Sequence, residues 1–168
     1  MKLETINVGR IVNAHGIRGE VRVQSRDGDP YFLTEFDTFY IDGKPVTPTA
    51  NHVHKSLVLM KFPGVDDMNA ALEWKDKILD IRREDADLPE GEYFDDELLG
   101  MEVFDEATGD LLGEIKKVES YPASKIYTVK GEKEYLIPAG KDAFIRSVDL
   151  DKNRMEVHVW EGLATDEH

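Results

Sequence analysis

Val8-Gly-Arg-Ile-Val-Asn-Ala-His-Gly-Ile-Arg-Gly-Glu-Val-Arg-Val23 holds two short apolar runs, Val8 to Val12 and Val21 to Val23, on either side of Gly16 and Gly19. Such runs, separated by a glycine-bearing gap, predict two strands joined by a tight reversal. Glycine permits positive φ in the turn and lets another backbone or a ligand come close. On strand alternation Arg22, Gln24 and Arg26 share one face, while Val21 and Val23 point to the other. Arg10, Arg18, Arg22 and His15 lie in these sixteen residues against one acid, Glu20. Guanidinium is a planar fork matched to phosphate or carboxylate. The cationic face is therefore either a binding surface for an anionic partner or a solvated strand face paired with nearby acids.

Downstream, Arg26 to Pro30 is a dense turn signal, and Tyr31 to Phe36 reads as a helical turn or loop. Thr38 to Ile41 is β-rich and Asp42-Gly43 is a hairpin dipeptide. Val46 to Ala50 is expected as the returning edge, confined by Pro45 and Pro48. His52 to Phe62, with the run Leu57 to Met60, is expected as one further strand. Asp66 or Asp67 can cap a helix through Met68, Ala71, Leu72 and Lys75. Ile78 to Ile81 closes this half as a strand. Many short strands with regular turns and one helix predict a small closed barrel for residues 1–84. Residues 85–91 are polar and form the expected linker.

A second small β-barrel is expected over residues 92–164, with 165–168 as a loose tail. Its predicted strands are Leu98 to Phe104, Leu111 to Val118, Ile126 to Val129, Glu134 to Ile137, Ala143 to Val148 and Met155 to Trp160. Gly113 is expected at a bulge or close approach. The fold class is thus mainly β, in two small barrels.

Charge divides unevenly between the halves. Residues 1–84 hold 12 Lys and Arg against 13 Asp and Glu; residues 85–168 hold 9 against 22, giving the chain −14 in total. The acidic charge keeps the protein soluble and argues against the whole surface being a nucleic-acid platform. It leaves room for a local basic site, or for a basic protein partner. Cysteine is absent, which excludes disulfides, thiolate metal sites and cysteine nucleophiles. The start of the chain lacks the apolar core of a signal peptide, and no apolar run approaches the roughly 20 residues of a membrane span. A soluble, cytoplasmic, monomeric protein without membrane contact is expected.

Other constellations read as structural. His52 and His54 share a strand face, but no third ligand of matching spacing completes a zinc site, so they are surface histidines. Asp149-x-Asp151-x-Asn153 begins like a calcium loop, yet Arg154 and Trp160 stand where glycine and glutamate are needed. Asp66-Asp67 and Asp95-Asp96 are adjacent acids, not a cleft pair with separated pKa values. No nucleophile elbow, phosphate loop or dinucleotide fingerprint occurs. The chain is expected not to be an enzyme and to need no cofactor or metal. Tyr93 and Phe94 are either a plug in the second core or an aromatic binding anchor.

The stretch Val8–Val23 resembles the opening signature of the RimM family of ribosome maturation factors. Phe62-Pro-Gly-Val-Asp-Asp-Met-Asn-Ala-Ala-Leu72 resembles the family's first-domain helix. Leu88-Pro-Glu-Gly-Glu-Tyr-Phe94 with Leu98-Leu-Gly100 resembles the start of its second domain. Gly109-x-x-Leu-Gly113, Tyr135-Leu-Ile-Pro138, Val148-Asp-Leu150 and Glu161-Gly-Leu163 continue the likeness in order. The resemblance implies an N-terminal barrel like those of translation factors, followed by a PRC-barrel. It implies a non-catalytic role in late assembly of the 30S subunit head and in 16S rRNA processing. The implied partners are the immature 30S subunit, its 16S rRNA and small-subunit ribosomal protein nineteen, a basic protein of the head. The family's Tyr-Tyr-Trp motif, tied to that protein, falls here on Tyr93, Phe94 and Asp95. The first aromatic is kept, the second lacks the hydroxyl and the third is an acid. Glu73-Trp-Lys-Asp76 also departs from the small turn residue usual there. On this reading Arg10, His15, Gly16, Arg18, Gly19 and Arg22 meet RNA or the ribosome, and Tyr93 and Phe94 meet the ribosomal protein. The rival is a protein-only adaptor with no RNA contact.

Overall fold

The computed structural model describes residues 2–89, 91–122, 124–139 and 144–159, with the backbone of 164–165. The expected tail 165–168 lies outside them except for the backbone of Thr165. So do Ala143, Trp160 and Glu161-Gly-Leu163 of the sequence expectations. Two compact units are present, Glu4–Asp87 and Leu88–His168, the second also taking Met1–Leu3.

The first unit contains β1 (Thr5–His15), β2 (Glu20–Ser25), α1 (Pro30–Leu33), β3 (Phe39–Ile41), β4 (Lys44–Val46), β5 (Ala50–His54), β6 (Leu57–Lys61), α2 (Met68–Leu72) and β7 (Ile78–Arg82). Its seven strands form one curled sheet in the order β4-β3-β7-β1-β2-β6-β5. The opening stretch thus supplies the centre of the sheet. Ile6, Val8 and Ile11 of β1 and Val21 and Val23 of β2 are buried on its inner face. Alternation alone fixes this, because a one-residue slip would turn every valine to solvent. Irregularities at Asn7/Gly9 and Ile11/Asn13 bend β1 so that it pairs with β7 along one part and β2 along another. The end strands β4 and β5 are not paired with each other, so the sheet curls as a half-barrel rather than a hydrogen-bonded ring.

Three local expectations change. The returning edge is Lys44–Val46, earlier than Val46 to Ala50. Asp42 and Gly43 both have positive φ, and this two-residue turn sets Lys44 opposite Ile41. His52 to Phe62 is not one strand but the β5–β6 hairpin, reversed at Lys55, whose φ is +58°. Leu98 ends a helix instead of starting a strand. That helix is α3 (Asp95–Leu98), where Glu97 accepts from the Phe94 backbone N–H at 3.4 Å. Acids crowd its first turn, where the exposed N–H groups favour negative charge.

The second unit adds β8 (Glu102–Asp105), β9 (Leu111–Ser120), β10 (Lys125–Lys130), β11 (Glu134–Pro138), β12 (Ile145–Asp149), β13 (Arg154–Val157) and β14 (Ala164–Thr165). They form a second curled sheet, β12-β13-β8-β9-β10-β11-β14. β13 runs parallel to β8, a pairing that a simple meander would not contain. The core gathers Leu98, Met101, Val103, Ile115, Tyr127, Val129, Ile137, Met155 and Val157. Gly113 is the expected close approach. A Cβ there would stand 2.3 Å from the Lys130 carbonyl oxygen, and φ is +148°.

Candidate functional site

The basic residues of the opening stretch are displayed by the β1–β2 hairpin. Arg10, Arg18 and Arg22 are exposed, while the valines behind them are buried. The turn between the strands holds Gly16 at φ +71° and Gly19 at φ +90°. Gly19 is buried against the segment leading to α2. A Cβ on it would lie 2.2 Å from the Val65 carbonyl oxygen, so only glycine fits. Gly16 faces open space. The tip is therefore pinned at Gly19 and carries Ile17 and Arg18 outward; Ile17 is 79% exposed.

Next to Gly19, the Lys61 ammonium donates to the Val65 carbonyl and pairs with Asp66 at 2.9 Å. Asp67 caps α2 by accepting from the Ala70 N–H at 2.8 Å. Trp74 stacks on buried Phe62 with ring centroids 5.1 Å apart. Asp76 follows in the left-handed region at φ +73°, and its N–H donates to the Ile11 carbonyl at 2.7 Å. Lys61 and Phe62 thus hold the flanks of α2 at the end of β6, and the Asp76 bond ties its C-terminal flank to β1, so the hairpin is backed by a packed platform.

The cations differ in their partners. Arg10 stands 3.8 Å from the Asp76 carboxylate. Arg22 donates through Nε to His15 Nδ1 at 3.1 Å. Arg18 has no ion pair or hydrogen bond among the described residues. The geometry therefore gathers Arg22 and His15, places Arg18 at the tip and leaves Arg10 farther along β1 beside an acid. Exposed Ile17 did not emerge from sequence as part of this tip, although its position between two turn glycines was a usable signal. The approach of His54 to His15, whose ring centroids lie 5.5 Å apart, was likewise not foreseen.

The second expected site lies in the other unit. Tyr93 is partly buried and packs against the second core. Phe94 is half-buried at the N-terminus of α3. Asp95 pairs with Lys125 at 2.7 Å. Tyr127, buried behind them, has its hydroxyl pKa pushed up to about 12, first by burial and then by the Asp95 carboxylate and Tyr93. Arg154 lies over the Phe104 ring at 3.7 Å elsewhere in this unit. Among the described residues no group of three or more metal-ligating side chains occurs, and no helix is long and apolar enough to cross a membrane.

Residues 6–86 match the family model for the RimM N-terminal domain, and residues 95–163 match that for the RimM PRC barrel domain. The chain belongs to the RimM family. It is 37% identical to a Clostridioides difficile protein named ribosome maturation factor RimM, over 96% of this chain and 97% of that one. A protein of the same name from Limosilactobacillus reuteri is 35% identical over 96% and 99% of the two chains. The crystal structure of a Pseudomonas aeruginosa protein, described as a candidate 16S ribosomal RNA processing protein RimM, is similar at 28% identity. That match has a TM-score of 0.44 and covers 94% of this chain and 98% of that one. The RimM pair of domains accounts for the two curled sheets and the few short helices.

Proposed function

We propose that this RimM-family chain is a cytoplasmic, non-catalytic ribosome maturation factor. It assists late assembly of the 30S head and processing of 16S rRNA. The single observation that carries the proposal is the pinned hairpin. It presents Arg18, without a partner among the described residues, and Arg22 on an exposed strand face, from a protein that is otherwise strongly acidic. Such a platform suits backbone phosphate contact, which positions a protein on RNA without reading bases. Binding of this kind is modest and sensitive to salt. The acidic second unit offers complementary charge to a basic head protein, small-subunit ribosomal protein nineteen. Complementary fields raise encounter rates and suppress wrong partners. Tyr93 and Phe94 form the proposed contact, and Tyr93 also braces the core.

The protein-only adaptor has one observation in its favour. Arg10 pairs with Asp76, as expected of a face whose arginines serve the fold. A pull-down from lysate at moderate salt separates the readings. Arg18→Ala with Arg22→Ala is expected to lose immature 30S particles and precursor RNA while keeping the head protein. Phe94→Ala is expected to lose the head protein with the cooperative thermal transition intact. Retention of precursor RNA by the double arginine variant leaves the adaptor as the better account.

A further inference from the structure

The hairpin is one half of a larger basic surface. β5 pairs with β6, and β6 with β2, so that Leu59 faces His52 on one side and Arg22 on the other. Asn13 continues this row on β1. His52, Leu59, Arg22 and Asn13 thus lie side by side across four strands, on the outer face. Leu59 is only 4% exposed, whereas His52, Arg22 and Asn13 beside it are exposed. His54, opposite Leu57, and His15, opposite Glu20, belong to different rows, yet their ring centroids lie 5.5 Å apart with the rings tilted by 57°, and His15 accepts from Arg22. Three imidazoles and a guanidinium therefore share one sheet face.

We infer that His52 and His54 extend the hairpin site into a binding surface for the RNA phosphate backbone, and that RNA binding there takes up protons on the imidazoles. The inference rests on the RNA contact proposed above. A neutral imidazole offers one donor and one acceptor, whereas the protonated ring offers two donors and a positive charge. The Arg22–His15 bond requires an unprotonated Nδ1. Protonation of His15 removes that acceptor and frees the Arg22 Nε–H, and a phosphodiester oxygen can accept from both.

The charged groups facing these rings come from every element of the face. β1 brings Arg10, β2 brings Glu20 and Arg22, and β6 brings Lys61, which is already tied to Asp66. Arg18 and Lys55 stand in the adjoining turns. Glu20, opposite His15 in the β1–β2 register, is joined by two further acids, Asp76 beside Arg10 and Asp66 beside Lys61. With Arg10 and Lys61 offset by Asp76 and Asp66, protonated His15 and His54 beside Arg22 leave positive charge in excess of the Glu20 carboxylate. An external anion relieves the excess, so anion binding and protonation favour each other.

The test uses the full chain and a transcript of the 16S rRNA head domain, at constant ionic strength. Wild-type affinity is expected to be about fivefold higher near pH 6 than near pH 8, the range in which histidine changes charge. His52→Gln with His54→Gln is expected to lower affinity near pH 6 by about three- to fivefold. It should also flatten the pH dependence and reduce the salt slope by about 0.7 for each phosphate no longer neutralised. Near pH 8 the variant should match wild type, with an unchanged thermal transition. A wild-type pH profile in that variant overturns the histidine site, while loss of binding in Arg18→Ala with Arg22→Ala at both pH values keeps the RNA reading. If the wild type fails to bind the transcript at either pH, both fall. Displacement of the transcript by millimolar inorganic phosphate would mark a small-anion site and overturn the assignment to RNA backbone.

Discussion

Two glycines three positions apart in the opening turn serve different ends. Gly16 and Gly19 both have positive φ, but only Gly19 is pressed against another backbone. Gly16→Ala is expected to cost about 1 kcal/mol, the ordinary penalty for an L side chain in that region. Gly19→Ala adds a steric clash with the Val65 carbonyl and is expected to cost about 2–4 kcal/mol. Urea denaturation of the two variants checks the difference; equal losses would remove the pinning role given to Gly19. A second residue governs alkaline behaviour. The folded pKa of Tyr127 is raised to about 12, above the ordinary value of about 10. The neutral hydroxyl is the form the fold favours, so its contribution is complete below about pH 10 and is lost as pH rises through about 12. The loss is on the order of 2–3 kcal/mol. Chemical denaturation across that window should show a smaller alkaline decline for Tyr127→Phe than for wild type.

At the scale of elements, α2 shows how a very short helix is held. Five residues cannot sustain a helix by propensity alone. The Asp67 cap satisfies the Ala70 N–H, and Ala71 is buried toward the sheet. Asp67→Ala is expected to destabilise the first unit by about 1 kcal/mol, read as a lowered midpoint in thermal unfolding. The Asp66-Asp67 pair and the spacing of Met68, Ala71 and Leu72 made this helix legible in sequence. α3 was not, because Leu98 continues an apolar run with Leu99 and Met101 that reads equally as strand. Its local signal was the acidic first turn. The β5–β6 hairpin was masked for a related reason: its reversal uses Lys55 in the left-handed region, where no glycine or proline announces a turn.

On the scale of the whole molecule, charge distinguishes the halves. Residues 85–168 carry 22 acids against 9 bases, while residues 1–84 are almost balanced. Self-repulsion in the acidic half is screened by salt. Raising salt to about 0.5 M is therefore expected to increase hydrogen-exchange protection more in β8–β11 than in β1, β2 and β7. Equal gains in both would show that net charge does not set local stability. The same asymmetry underlies the proposed division of labour, with RNA meeting the hairpin and a basic protein meeting the acidic unit.

The mainly β class, the two-unit order, the opening hairpin and the alternation of buried valine with exposed arginine were determined by the amino-acid sequence alone. Each rests on local chemistry: period-two patterning, turn glycines, a helix cap and a change of charge density. Tertiary structure decided what lies far apart in the chain. It set Gly19 on Val65, brought His54 beside His15, ran β13 parallel to β8 and packed Tyr93 against the second core. Such contacts depend on register across several strands, and register is settled by the packing of the whole sheet rather than by any one segment.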